Sequence, residues 1–190
     1  MASITLVGDT SGQVSIAAPA VAGSNTLTLQ AATATMSVNT LSTAVASTSG
    51  TSIDFTALPS WVKRITVMFQ GVSTSGTSFT QILLGTGATP TYTTSGYVGG
   101  AYNGASTAFS AGFVFSQSAS ASDNRNGIAT LTNMTGNAWA ISGATGLNGG
   151  GGSLFGGSIA LAAALTAVRI TTVNGTDTFD AGSINILYEG

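Results

Sequence analysis

The chain contains no cysteine and no histidine among its 190 residues. Without these residue types it lacks the usual zinc ligands, a cysteine nucleophile, a histidine general base and any Ser-His-Asp triad. Disulfide bonds are excluded as well, so packing or assembly must supply the stability of the fold. We therefore expect a protein that is not an enzyme and that uses no metal and no cofactor.

Charged side chains are also scarce. Lys and Arg total 4, Asp and Glu total 6, and together they make up 5% of the chain, whereas an ordinary globular protein carries roughly 25%. A surface that follows the phosphates of a nucleic acid needs clustered cations. We therefore expect no binding to nucleic acid.

Long hydrophobic runs are missing too. The longest, at 159–168 (I-A-L-A-A-A-L-T-A-V), is much shorter than the ~20 residues of a membrane-spanning helix, so we expect no membrane insertion. Its periodicity does not distinguish a buried strand from a short core helix. The first five residues, M-A-S-I-T, offer neither the basic nor the apolar region of a secretory signal, which favours synthesis in a cytoplasm without export.

What the chain does contain is alternation of apolar and polar residues, clearest in Trp61–Val72 (W-V-K-R-I-T-V-M-F-Q-G-V). This pattern predicts the central strand of a sheet, with Ile65, Val67 and Phe69 facing the interior and Arg64 on the opposite side. A slip of one residue would bury polar side chains in place of the apolar ones. The alternation therefore fixes the register.

Further short segments alternate in the same way between clusters of Gly, Asn, Ser and Pro. Strands are predicted at 53–55, 78–84, 109–115, 128–133, 138–142, 154–161, 168–173 and 183–189. The segment 109–115, with Phe109, Ala111, Phe113 and Phe115 in alternate positions, predicts one long strand. Four Asn-Gly pairs, which begin at residues 103, 126, 148 and 174, predict turns. Many short strands with few helix-period stretches predict an all-β fold, a β-sandwich of the jelly-roll type.

The first 45 residues differ from the rest of the chain in their sequence pattern, because they contain only short apolar pairs separated by Gly, Ser and Pro. The pairs are Ile4 with Leu6, Val14 with Ile16, and Leu27 with Leu29. Each buries too little surface to offset the ~1–2 kcal/mol per residue that backbone ordering costs. We therefore predict that residues 1–45 form an extended β arm for attachment and trimerisation, intertwined with two other copies. The alternative is a flexible tail. Residues 46–190 would form the outer domain.

Few side chains are candidates for binding. Tyr92, Tyr97 and Tyr102 lie in a Gly-rich stretch, and they are the candidate receptor contacts because an aromatic ring with a polar edge suits a glycan. Trp139 is explained better by packing in the core or between subunits.

The acidic residues offer weaker candidates. Asp177 and Asp180, with Asn174 and Thr176 nearby, offer oxygens to a calcium ion, but their spacing matches no EF-hand loop. Their three-residue separation also argues against a glycosidase pair. The segment Asp123–Arg125 predicts a solvated loop with a local ion pair.

Three segments carry a resemblance to bacteriophage virion proteins. Arg169–Gly190 resembles the ends of phage tail-fibre and related virion proteins, and Ile53–Ser78 is similar to the opening of the same fibre-tip domain. Leu6–Leu29 is similar to N-terminal repeats of phage virion proteins that are often marked by P-A-x-A-G-x-N-T-L-T-L, which here is P-A-V-A-G-S-N-T-L-T-L. Together the segments cover about two fifths of the chain. The shaft that separates arm from tip in long tail fibres is missing.

The resemblance implies a homotrimeric structural protein on the surface of a phage particle, made in the host cytoplasm and released by lysis. Its arm would contact other virion proteins of the capsid or the tail. Its outer domain would serve as a capsid decoration, a head fibre or a short tail fibre, with a host-surface glycan as a candidate receptor. The alternative is a cellular adhesin or surface-layer β module, and the lack of a secretory signal argues against it.

Overall fold

The computed structural model describes residues 3–7, 11–17, 21, 23, 37–118 and 120–190. Within this part of the chain the regular elements are all strands, every strand pairing is antiparallel, and the sheets are open. The predicted all-β class is therefore confirmed. A search of the same residues for a helix that could cross a membrane finds none. The chain divides into two compact units, Met1–Met36 and Ser37–Gly190.

The first unit contains a two-stranded sheet of β1 (Ser3–Val7) and β2 (Gln13–Ala17). In its register Ile4 lies opposite Ile16 and Thr5 lies opposite Ser15. Side chains alternate between the two faces of a strand. One face of the hairpin is therefore apolar, and the other, which we call the polar face, carries Thr5, Ser15 and Gln13 together with Val7.

Two other residues assigned to the arm, Leu27 and Leu29, lie outside the described residues.

The second unit consists of two sheets. The nine-stranded sheet contains β3 (Asn39–Leu41), β4 (Val45–Ala46), β6 (Arg64–Thr74), β9 (Val98–Tyr102), β10 (Ser106–Phe109), β12 (Arg125–Thr135), β13 (Ala138–Leu147), β14 (Gly152–Ala160) and β16 (Phe179–Glu189). The five-stranded sheet contains β5 (Ser52–Phe55), β7 (Thr80–Thr86), β8 (Thr91–Tyr92), β11 (Phe113–Ser116) and β15 (Leu165–Thr172).

The strand order places β6 inside the larger sheet. That sheet runs β10-β9-β14-β13-β12-β6-β16-β3, with β4 also paired to β16. The smaller sheet runs β11-β7-β15-β5, with β8 also paired to β7. Because β3 and the first residue of β4 precede residue 46, the larger sheet begins before the boundary that the sequence suggested.

One hydrophobic core is shared by the two sheets. Phe69 of β6 stacks on Phe115 of β11, with ring centroids 4.3 Å apart and planes inclined by 11°. Phe113 meets the ring of Tyr97 edge to face at 4.7 Å. Aromatic pairs of this kind stabilise beyond the area that they bury. The Phe69–Phe115 stack joins the inner side of one sheet to the inner side of the other.

The prediction for the central strand is confirmed. β6 pairs with β12 on one side and with β16 on the other. Ile65, Val67 and Phe69 are buried, whereas Arg64 is exposed and Thr66 is half-buried. The register follows the apolar pattern, as expected when one face of a sheet must be covered.

The predicted long strand around Ala111 is wrong. Phe109 ends β10 in the larger sheet and Phe113 begins β11 in the smaller one, and Ala111 between them is exposed. At Gly112 the backbone passes so close to β7 that an added Cβ would collide with the side chain of Gln81. The alternation is real, but it arises because both strands face the same core.

The apolar run at 159–168 is also divided between the sheets. It closes β14 at Ala160 and opens β15 at Leu165. The strand alternative is therefore correct for the two ends of the run. In the connection between them Leu161 is buried and residues 162–164 are exposed.

One of the four Asn-Gly pairs is not a turn. Asn126 and Gly127 lie inside β12, where the pairing with β6 is irregular. Gly127 has a φ of +149°, which residues with a side chain rarely adopt. The side chain of Asn126 accepts a hydrogen bond from the Gly71 amide at 2.8 Å. The pair therefore stabilises an irregularity within the sheet.

The stacked pair at the centre of the core generates a stability prediction. We expect Phe69→Ala to lower the free energy of unfolding by ~3–5 kcal/mol, because it removes buried area and leaves a cavity. Thr66→Ala on the other face of the same strand should cost ~1 kcal/mol or less. Chemical denaturation of the full chain compares the two variants. Equal stability of Phe69→Ala and the parent would show that this ring does not join the sheets.

Candidate functional site

The antiparallel strands of the second unit run between two opposite ends, and the connections at the two ends differ. The chain enters and leaves at one of them, where the backbones of Val38 and Gly190 exchange hydrogen bonds of 2.8 and 3.2 Å. β6 starts near this end at Arg64 and finishes at the opposite end at Thr74. We call the opposite end the distal end. It is formed by the connecting residues 47–51, 75–79, 103–105, 117–118, 120–124, 148–151 and 173–178.

Hydrogen bonds tie the distal connections to one another. Asp177 accepts from the Ser78 amide at 2.9 Å and from the Asn174 side chain at 2.7 Å. The amide of Thr178 donates to the Ser75 hydroxyl at 3.0 Å. The bonds to Ser78 and Ser75 cross between the β6–β7 and β15–β16 connections, whereas the bond from Asn174 lies within the β15–β16 connection. These two segments are therefore held in a defined arrangement.

Asp177 uses both carboxylate oxygens in this role. The hydrogen bond from Asn174, followed by that from the Ser78 amide, lowers the pKa of Asp177. No cluster of three or more Asp and Glu side chains is present among the described residues. The hydrogen bonds from Asn174 and Ser78 hold the Asp177 carboxylate in place.

A second group of distal contacts joins the remaining loops. The Asn124 amide donates to the Asn148 side chain at 3.2 Å, and the Asn148 amide donates to the Asn124 carbonyl at the same distance. The side chain of Asn103 donates to the Gln117 carbonyl, also at 3.2 Å. The distal surface is thus polar, nearly uncharged and pre-organised.

Arg125 lies beneath this surface and contradicts the prediction of a solvated ion pair. Its side chain is completely buried, and the guanidinium donates to the carbonyls of Asp123 at 3.1 Å and Ser118 at 3.4 Å. The Asp123 carboxylate instead accepts from the Ser118 hydroxyl. Burial lowers the pKa of Arg125, and the charges of Asp123 and Asp180 oppose this shift. Arg125 therefore supports the loop backbone from inside.

The three candidate tyrosines do not form one surface. Tyr97 is only 2% exposed, and its hydroxyl accepts from the Leu84 amide at 2.8 Å and donates to the Thr93 carbonyl at 3.1 Å. This side chain belongs to the core, so we withdraw Tyr97 as a receptor contact. Tyr102 is 53% exposed on the nine-stranded sheet, while Tyr92 lies on the five-stranded sheet.

Tyr92 belongs to a charged cluster that the sequence alone did not indicate. Arg169 lies 3.9 Å above the centre of the Tyr92 ring and binds both carboxylate oxygens of Asp54 at 2.7 and 2.6 Å. Burial, followed by the charge of Asp54, raises the pKa of Tyr92, and Arg169 opposes the shift. Asp54 and Arg169 face each other across β5 and β15. Only the strand register, which the sequence does not specify, brings them together.

A shallow polar cleft adjoins this cluster. Its volume is about 240 Å³, and its lining includes Arg169, Gln81, Thr94 and Thr171. Guanidinium, amide and hydroxyl groups are suited to polar ligands that offer several hydrogen-bonding oxygens. The cleft and Tyr102 are the candidate receptor contacts that the structure leaves accessible.

Trp139 lies at the other end of the unit and is 4% exposed. It lines a cleft of about 210 Å³ with Lys63, Leu58 and Leu165. This burial agrees with the prediction that Trp139 is a packing residue.

Comparison with protein-family models, curated protein sequences and solved structures returned no match to this chain.

The buried hydroxyl of Tyr97 generates a prediction about stability. Tyr97→Phe should cost ~1–3 kcal/mol, because it leaves the buried Leu84 amide without its acceptor. Tyr102→Phe is the matched control, since its exposed hydroxyl has water as a substitute, and it should change the stability little. Urea denaturation at neutral pH checks both. Equal effects of the two variants would contradict the core position of Tyr97.

The same residue predicts a loss of stability in alkali. Burial raises the pKa of Tyr97 to about 12, although the hydrogen bond from Leu84 opposes the shift. An unfolded tyrosine ionises near pH ~10. Tyr97 therefore contributes fully to the free energy of unfolding below pH ~10, and this contribution is lost as the pH rises through about 12. Unfolding free energies measured across this window should fall more steeply for the parent than for Tyr97→Phe, and identical slopes would refute the assignment.

Proposed function

We propose that this chain is a non-enzymatic structural protein of a bacteriophage particle, a homotrimeric surface fibre or decoration protein. Its N-terminal arm attaches it to other virion proteins of the capsid or tail, and its outer domain points away from the particle. The observation that carries this proposal is the exposed apolar face of the N-terminal hairpin.

The hairpin presents apolar side chains to solvent. Ile4, Leu6 and Ile16 are 65%, 60% and 53% exposed. A lone two-stranded hairpin is at best marginally stable in water. Three intertwined arms would supply each hairpin with the apolar cover and strand partners that it lacks. This supports an arm that folds on assembly.

The outer domain is proposed to be a β-sandwich of the jelly-roll type. The core shared by two antiparallel sheets supports the sandwich, and the stacking of Phe69 on Phe115 fixes their inner faces together. In the proposed orientation the end that bears Ser37, the first residue of the second unit, lies toward the particle. The distal end then faces outward.

Host-surface adhesion is the role proposed for the outward surfaces. The distal loops carry hydroxyl and amide groups in fixed positions, and the cleft beside Arg169 offers further donors. Such groups suit the hydroxyls of a glycan better than a charged partner. Tyr102 adds an exposed aromatic ring on the nine-stranded sheet, whereas the ring of Tyr92 is covered by Arg169.

The arm is tested by reversing the polarity of one face of the hairpin at a time. Ile4→Asp places a charge on the apolar face and should convert the full-length trimer to monomer and remove the chain from purified particles. Thr5→Asp is the matched control, because Thr5 lies on the polar face, where its hydroxyl is 3.1 Å from that of Ser15. Thr5→Asp should leave the chain trimeric and attached to the particles. Analytical ultracentrifugation measures the mass of each variant in solution, and mass spectrometry of purified particles shows whether the variant is attached to them.

The oligomeric state at high salt concentration provides a second test of the arm. The Debye length falls from ~10 Å at 0.1 M to ~3 Å at 1 M, yet the trimer should persist because apolar contacts are strengthened rather than screened. A monomeric parent, or a trimer of the Ile4→Asp variant, would overturn the proposed role of the arm.

A further inference from the structure

The four Asn-Gly pairs differ in how firmly hydrogen bonds hold them. In such a pair the backbone nitrogen of the glycine can attack the side-chain amide of the asparagine, because glycine has no side chain that blocks the approach. In the sequence the pairs that begin at residues 103, 126, 148 and 174 look alike. In the structure, their hydrogen bonds make them unequal as sites for this reaction.

The pair at Asn174 is held at every group that would react. Its side-chain oxygen accepts from the Thr172 hydroxyl at 2.8 Å and from the Thr176 amide at 3.0 Å. Its side-chain nitrogen donates to Asp177 at 2.7 Å. The Gly175 amide, which would be the attacking group, donates to the Thr172 carbonyl at 3.1 Å. These bonds must break before the side chain can reach the next nitrogen.

The pairs at Asn126 and Asn103 are also held. Asn126 lies within β12, where its side chain accepts from the Gly71 amide at 2.8 Å and donates to the Asn124 carbonyl at 3.4 Å. Asn103 lies in the short connection between β9 and β10, and its side-chain nitrogen donates to the Gln117 carbonyl at 3.2 Å. In both pairs the nitrogen that would leave as ammonia is engaged.

Asn148 is the exception. It is exposed at the start of the connection between β13 and β14. Within the part of the chain that the structure describes, its side-chain nitrogen and the Gly149 amide have no hydrogen-bond partner. An added Cβ at Gly149, Gly150 or Gly151 would meet nothing within 4 Å, so the loop has room to rearrange. The side-chain oxygen of Asn148 accepts from the Asn124 amide at 3.2 Å, and such a donor stabilises negative charge that develops on this oxygen.

We propose that Asn148 is a site of spontaneous deamidation. The Gly149 nitrogen gives its proton to hydroxide and bonds to Cγ of Asn148, after which the Cγ–Nδ2 bond breaks and the nitrogen takes a proton from water and leaves as ammonia. Water then opens the succinimide ring. Attack at Cγ restores the main chain and gives aspartate, whereas attack at the main-chain carbonyl carbon gives an isoaspartyl link. Overall, the amide and water become a carboxylic acid and ammonia.

Both products change the distal surface, which is nearly uncharged. Each adds a negative charge at position 148. The isoaspartyl product also adds a carbon atom to the main chain and makes the Cγ carbonyl part of it, which disrupts the hydrogen bond from the Asn124 amide. Deamidation would therefore loosen one of the links between distal loops. This inference goes beyond the proposed function and does not depend on it.

The test follows conversion at each Asn-Gly pair by peptide mass spectrometry during incubation of the full chain in mildly alkaline buffer. The reference is the same chain unfolded in guanidinium chloride, where all four pairs are free and should react at similar rates. In the folded chain Asn148 should react at close to its unfolded rate. Asn126 and Asn174 should react at least ~tenfold more slowly than when unfolded, because two or more hydrogen bonds must break first.

Gly149→Ala is the matched variant. The added Cβ has open space in the folded chain, so it should hinder the attacking nitrogen without disturbing the loop. It should slow conversion at position 148 severalfold and leave the other three pairs unchanged. Asn148→Gln should abolish conversion there, because the longer side chain would have to close a larger ring.

Either of two results would overturn the inference. The first is strong protection of Asn148 in the folded chain, at least ~tenfold relative to the unfolded chain, which would mean that the loop holds this pair as firmly as the others. The second is a rate at Asn126 or Asn174 equal to that at Asn148 in the folded chain, which would mean that their hydrogen bonds do not control the reaction.

Discussion

Scarcity of charge is the constraint on which this structure depends. With Lys and Arg totalling 4, Asp and Glu totalling 6, and no cysteine, neither ion-pair networks nor disulfides can hold the fold. Apolar burial between two sheets must do so, and backbone pairing accompanies it. The stack of Phe69 on Phe115, at 4.3 Å, is one of the contacts that join the two sheets. The same constraint would apply to the proposed assembly, because a contact surface without charge must rely on apolar burial.

Several of the few charged side chains form contacts within the chain that hold loops and strands in place. Arg125 is buried beneath the distal loops, and Asp177 fixes two of them through its hydrogen bonds. Arg169 and Asp54 pair across two strands and order the ring of Tyr92. Loops braced in this way lose less entropy when they bind a ligand, which suits an outward recognition surface.

Much of the fold could be predicted from alternation, because a buried face imposes a period of two. Phe69 and its strand were found in this way. The alternation at Ile4 also indicated a strand, but its pairing with β2 of the same chain was not predicted. Sheet membership could not be predicted: Phe109 and Phe113 face one core from different sheets, and their spacing looks the same as that of one strand. The pairing of Asp54 with Arg169 depends on register between segments more than a hundred residues apart, which no local pattern encodes. Tyr97 was misplaced because a Gly-rich stretch does not reveal a buried hydroxyl.

The central claim is that apolar surfaces left uncovered in one copy are covered by other copies. Amide hydrogen exchange in β1 and β2 tests it most directly, because a lone hairpin opens easily and exchanges fast. The account predicts slow exchange in concentrated full-length protein, unchanged at high salt, and fast exchange once dilution yields monomers. Slow exchange that is independent of concentration would show that the hairpin is stable within one chain. Fast exchange at every concentration would show that nothing covers it.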